Sequence, residues 1–146
     1  MPAAYTRPVS PGQLSLRTLL LCDYALTGQD GKISAVGIFG QINVSRLPAV
    51  HPRLFIVAVM DAEAGTHDLT LQVLSPKGGR LLENPPELHM EVPLGTTIAN
   101  IVADLNGLEL RELGRHEVEL REGSLLLGST PLQVNLIFQA SEAARV

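Results

Sequence analysis

The feature that most restricts this chain is its punctuation. Apolar runs of strand length are cut at short, regular intervals by glycine, proline and an Asp-Gly pair. Several runs alternate. Residues 68–74 set Leu69, Leu71 and Val73 against Thr70 and Gln72, and residues 115–121 set His116, Val118 and Leu120 against Glu117, Glu119 and Arg121. A period of two is the mark of a half-buried strand, because successive side chains point to opposite faces of a sheet. Residues 14–26 begin by alternating and then become almost wholly apolar, as a strand covered on both faces does. Residues 54–60, with β-branched Ile56, Val57 and Val59, read as a core strand.

The breaks carry turn chemistry. Thr27-Gly28-Gln29-Asp30-Gly31-Lys32 predicts a hairpin, since Asp-Gly supplies the positive φ that a tight turn needs. Residues 33–44 are the return strand; Gly37 and Gly40 flank Ile38-Phe39 there and predict a bulge or a close backbone approach. Leu47-Pro48-Ala49-Val50-His51-Pro52 has two prolines and is expected to stay out of any central strand. Residues 61–65 read as a loop and Pro76-Lys77-Gly78-Gly79 as a turn. Residues 80–83 and 88–92 are expected to be short edge strands on either side of Asn84-Pro85-Pro86. Residues 125–130 return after the turn Glu122-Gly123-Ser124, Pro131 breaks the run, and residues 132–140 close the domain.

Residues 97–110 fit two patterns. Ile98, Ile101, Val102, Leu105 and Leu108 have helical spacing, with Thr97 as N-cap and Gly107 past the end. Ala99, Ile101, Ala103 and Leu105 equally form one face of a strand, with Ile98, Asn100, Val102 and Asp104 on the other. The β neighbours favour the strand, and a short helix over 97–106 is the competing reading. Roughly eight or nine short strands with turns between them predict an all-β fold, an antiparallel β-sandwich.

At 146 residues the chain is long enough for one domain that buries roughly 68–70% of its unfolded surface. With 3% aromatics and no Trp, its core must be aliphatic. Residues 1–13, with Pro2, Pro8 and Pro11, are expected to be an extended arm; 14–140 form a single domain, and 141–146 a polar tail. The net charge is −4 and no two basic residues are adjacent, which argues against nucleic acid and against polybasic membrane docking. One cysteine, no basic-then-apolar leader and a densest N-terminal apolar run, Leu19-Leu20-Leu21-Cys22, far too short to span a bilayer predict a soluble cytoplasmic protein.

Candidate chemistry is sparse. Asp23, Asp30, Asp61, Glu63 and Asp68 sit on or near loops 27–32 and 61–67, where loop carboxylates of a sandwich can gather around calcium; as turn formers and solvated acids they need no ion. His51, His67, His89 and His116 lack the short spacing of zinc ligands, and His116 reads as a strand-end histidine with a satisfied nitrogen. Cys22 lies in an apolar run beside Asp23, which would raise its pKa, so it reads as a small buried hydrophobe. No Gly-x-Ser-x-Gly elbow is present, and Gly78-Gly79 and Gly28-x-x-Gly31 are too sparse for a phosphate loop. Glu117, Glu119 and Arg121 form a solvated stripe. No catalytic, cofactor-binding or metal-ligating residue is assigned, and no cofactor is expected.

The stretch from Gly114 through Arg121, Gly123 and Leu125 to Pro131-Leu132-Gln133-Val134 resembles the last hairpin of bacterial immunoglobulin-like sandwiches. Leu21-Cys22-Asp23-Tyr24-Ala25, Asp30-Gly31-Lys32, Val36-Gly37-Ile38-Phe39 and Leu47-Pro48 are similar to a family of uncharacterised bacterial proteins known only as a domain of unknown function. The resemblance implies an immunoglobulin-like sandwich, no known activity and no functional residues to carry over. The expected role is therefore that of a non-enzymatic accessory or structural module, acting through a protein partner or self-association, with the arm 1–13 lying across a neighbour. The alternatives are a small-ligand or calcium-binding sandwich using loops 27–32 and 61–67, and a small enzyme with an unrecognised site. A flat apolar patch or a paired sheet edge favours the first, three or more converging loop carboxylates the second, and a pocket lined by histidine or acids of perturbed pKa the third.

Overall fold

The Asp30-Gly31 turn sets the first hairpin. In the computed structural model, which describes residues 13–137, Gly31 has φ 81° and its N–H donates to the Gly28 carbonyl over 3.0 Å. The turn joins β1 (Leu14–Thr27) to β2 (Ile33–Phe39) in antiparallel register, Thr27 opposite Ile33 and Leu21 opposite Phe39. Seven strands follow: β3 (Gln41–Val44), β4 (Ala49–Ala62), β5 (Gly65–Leu74), β6 (Glu87–Val92), β7 (Ile98–Leu110), β8 (Gly114–Glu122) and β9 (Leu125–Leu136). They build a four-stranded sheet in the order β2-β1-β4-β7 and a five-stranded sheet in the order β3-β9-β8-β5-β6. The expected arm over 1–12 and tail over 141–146, like residues 138–140, lie outside the described residues.

The order is that of an immunoglobulin-like sandwich. β9-β8-β5 stand as strands G, F and C, with β6 added beside C; β2, β4 and β7 stand as A, B and E, with β1 inserted between A and B. The run 33–44, expected as one strand, is divided at Gly40. Its first part stays on β1, while its second crosses to the other sheet and pairs parallel with β9, Ile42 opposite Val134. The Gln133 N–H donates to the Gly40 carbonyl over 2.8 Å at the crossing. All other strand pairs are antiparallel.

Residues 97–110 form the favoured strand and not the competing helix: β7 pairs with β4 from Ile98 opposite Asp61 to Leu110 opposite Ala49, and no helix occurs among the described residues. Three expectations need correction. Pro52 lies inside β4, a central strand. The pairing of β4 with β1 ends at Phe55, so only β7 flanks Pro52, and its missing N–H costs no ladder bond on the open side. Pro131 likewise does not break β9; β8 flanks it at Glu117, while β3 pairs only from Gln133 onward. Residues 80–83 form no strand. Arg80 makes a single bridge to Leu74, and the segment is held by the Gln72 side chain, which accepts from the Leu82 N–H over 2.9 Å and donates to the Leu82 carbonyl over 3.1 Å.

Alternation on β4 separates two apolar clusters. Leu54, Ile56, Ala58 and Met60 face the other sheet and pack with Leu69, Leu71, Val73, Val118, Leu120, Leu132 and Val134 in the core between the layers. Phe55, Val57 and Val59 point the opposite way and gather with Cys22, Leu20 and Val102 on the outer face of the four-stranded sheet. That outer cluster positions the candidate site.

Candidate functional site

The expected chemical residues do not converge. Loops 27–32 and 61–67 lie at opposite ends of β1, with Leu14 opposite Ala62 at one end and Thr27 opposite Ile33 at the other. At about 3.3 Å per residue the two ends are roughly 40 Å apart, too far for one ion. Asp61 is paired with Arg17 at 2.9 Å, and Asp30 accepts the Lys32 backbone N–H at 3.1 Å. Asp68 holds the His89 Nδ1 at 2.7 Å, Asp23 lies against Gly37, and Glu63 offers His67 its backbone carbonyl at 3.4 Å. Among the described residues no three His, Cys, Asp or Glu side chains form a group that could hold a metal.

The histidines have separate surroundings. His67 is buried with its Nδ1 2.7 Å from a Glu122 carboxylate oxygen. The hydrogen bond to Asp68 holds exposed His89 above its usual pKa, against a smaller opposing effect of desolvation. His51 tilts against the Phe39 ring at 5.9 Å. His116 is buried and donates from Nδ1 to the Gly114 carbonyl over 3.1 Å, the satisfied strand-end histidine that alternation predicts. His116 lines a cleft of about 510 Å³ together with Ser75, Arg80, Glu83, Arg111 and Glu112.

Cys22 is fully buried. Burial is the main cause that pushes its thiol up, and the neighbouring Asp23 charge adds to it, so little thiolate is available. Gly78-Gly79 closes a turn in which the Gly79 N–H donates to Ser75 Oγ over 3.0 Å. The stripe on β8 pairs internally, Arg121 with Glu119 at 3.1 Å and Arg115 with Glu117 at 3.0 Å. Glu117 Oε2 is buried with no hydrogen-bond partner among the described residues.

What the structure does bring together is apolar. Cross-strand pairing sets Tyr24 opposite Val36 and Cys22 opposite Ile38, so these side chains share one face with Leu26. Tyr24 is 48% exposed, Leu26 43%, Val36 60% and Ile38 64%. The patch continues inward: the Tyr24 ring meets Phe55 edge-on at 5.2 Å, and Phe55 lies beside Val57 and Cys22. On the far side the Arg53 guanidinium sits 4.8 Å over the Phe55 ring. Arg53 is held there by two hydrogen bonds to Asp104 Oδ2 and one to Oδ1, at 2.7–3.2 Å. This hydrogen bonding is the main cause that keeps the Asp104 carboxyl below its usual range. The flank is thus a contiguous apolar surface bordered by the Arg53–Asp104 ion pair.

Gly37 on β2 has φ 72° and sits where an added Cβ would strike the Asp23 side chain of β1. The close approach expected for this glycine is present. The exposed face itself escapes sequence reading, because Leu20 to Leu26 look like a strand covered on both faces. The available signal was the turn: once Asp30-Gly31 fixes the register, Tyr24 meets Val36 and Cys22 meets Ile38.

A family of unknown function, DUF6941, matches the chain over residues 17–135. No curated protein matches it. Among solved structures, the chain is similar to an immunoglobulin-like protein, PA1606, from Pseudomonas aeruginosa, at 14% identity and a TM-score of 0.44, over 86% of this chain and 99% of that one. It is also similar to part of a β-glucosidase from Listeria innocua, at 9% identity and a TM-score of 0.48, over 85% of this chain and 16% of the enzyme. A third likeness is to an alkylpurine DNA glycosylase, AlkC, from Pseudomonas fluorescens, at 12% identity and a TM-score of 0.44, over 84% of this chain and 30% of that one.

Proposed function

The chain belongs to this family of unknown function, and we propose that it is a non-enzymatic β-sandwich module acting through protein contacts made by the β1–β2 flank. The observation that carries this reading is the run of exposed apolar side chains at Tyr24, Leu26, Val36 and Ile38, continuous with buried Phe55. Single exposed hydrophobic residues are ordinary, whereas a contiguous group with a polar rim is what interaction surfaces present. A charge of −4 without adjacent basic residues supports a protein rather than a nucleic acid or membrane partner. The single buried thiol fits a reducing, cytoplasmic setting. The arm 1–13 as the contacting element is not part of this reading. The test is photo-crosslinking in the producing cell from a reactive residue placed at position 38, with position 87 on β6 as control. Protein adducts at 38 and none at 87 support the reading; equal or absent adducts at 38 refute it.

A second reading, binding of a small polar ligand, is supported by the cleft over His116, whose rim carries both Arg80 and Glu83. Shifts of the His116 imidazole resonances on adding a small-molecule extract, lost in His116→Asn, would favour it.

A further inference from the structure

We propose that β2 pairs antiparallel with the β2 of a second copy of this chain, about a two-fold axis passing beside Val36. The inference rests on the reading of the β1–β2 flank as a docking face and names its occupant. Among the described residues β2 forms one edge of the four-stranded sheet. An open edge presents unpaired N–H and C=O groups to any added strand, and folds usually guard such edges with charges, prolines or shortness. The other three edges are guarded. β7 exposes Asn100, Asp104, Asn106 and Glu109, and β6 exposes Glu87, His89 and Glu91 between Pro86 and Pro93. β3 has four residues. β2 has the sequence ISAVGIF, with no charge and no proline, and Val36 and Ile38 are its most exposed large side chains.

An edge without charge selects no partner by charge pattern. It selects a neutral strand rich in β-branched residues, and β2 is itself such a strand. About an axis beside Val36 the pairing is self-complementary. Val36 stands beside Val36 of the second copy, Ile38 beside its Ser34, Gly37 beside its Ala35 and Phe39 beside its Ile33. Three of the four pairs set apolar residues side by side, and every residue keeps its face of the sheet, which is the condition for a defined register. The exposed flanks of Val36 and Ile38 are then covered laterally by the second copy. Such a contact is isologous: it uses the β2 edge of both copies and closes at two chains.

The test is the solution mass of the full chain by sedimentation velocity over a concentration series. The wild type is expected at twice the 15.7 kDa chain mass. Val36→Lys and Val36→Glu, each placing like charges side by side at the axis, are expected at the single-chain mass with unchanged β-type circular dichroism. Mixed one to one, the two variants are expected to regain the two-chain mass, because position 36 faces its own counterpart only in this register. A single-chain wild type overturns the proposal and leaves the flank reading to its cross-linking test. Two-chain particles from either variant alone, or no reassociation on mixing, also overturn it.

Discussion

Gly37→Ala probes the hairpin that builds the exposed apolar flank. The residue sits at φ 72°, where an L side chain costs about 1–2 kcal/mol. Replacing glycine also stiffens the unfolded chain, which returns about 0.4–1 kcal/mol. The backbone part alone therefore costs roughly 1 kcal/mol. The added methyl also meets Asp23, whose Cγ stands 2.9 Å from the position of the new Cβ. Asp23 must swing away, and the rotamer change adds about 0.5–1.5 kcal/mol. The total is about 2 kcal/mol, read as a lower midpoint in urea at unchanged slope. Asp23→Ala in the Gly37→Ala background should recover the rotamer part and leave the backbone part. A Gly37→Ala protein as stable as the wild type, or a double variant no better than the single one, would refute the reasoning.

Other expectations follow from the same contacts. Leu120 is fully buried between the sheets, so Leu120→Ala should cost about 2–5 kcal/mol in urea unfolding. His89 should titrate above 6.5 by NMR, and Asp68→Asn should bring it back toward that value. The pair is formed with the imidazole protonated, so its contribution is present below the unfolded pKa of about 6.5 and is lost as pH rises through the raised folded value. Cys22 should react with a thiol reagent in the native protein only at the rate of unfolding, and quickly in denaturant.

Local chemistry was legible in the residues wherever one strand and its own turn decide the outcome. The alternation of Leu69, Leu71 and Val73, and of His116, Val118 and Leu120, gives the inward faces directly, and all six are buried. Partner-dependent features were not legible. Whether Pro52 and Pro131 interrupt a strand depends on which of its two sides is paired at that residue, a property of the neighbouring strands. The division of 33–44 at Gly40 depends on β9, more than ninety residues away, being free to receive β3. Residues 97–110 satisfy helical and strand periods together, and only the long ladder to β4 decides between them.

The candidate site follows the same division. The acids at 27–32 and 61–67 look like one loop cluster until β1 is seen to hold them at its two ends. Tyr24 and Leu26 read as core because residues 14–26 look covered on both faces, and Val36 and Ile38 belong to a return strand to which the residues assign no face. Only the finished sheet shows that they lie on its outer face. Burial of that face by a partner would give sequence and structure the same meaning for these residues, which is why an open, uncharged β2 matters more than any single polar group in the molecule.

That β2 is a docking edge is tested most directly by amide hydrogen exchange of residues 33–39 in the full chain at rising protein concentration. Pairing with a second copy predicts that the outward amides of β2 gain protection with concentration, while those of β6 do not change. Outward β2 amides that exchange as an open edge does at every concentration would contradict it.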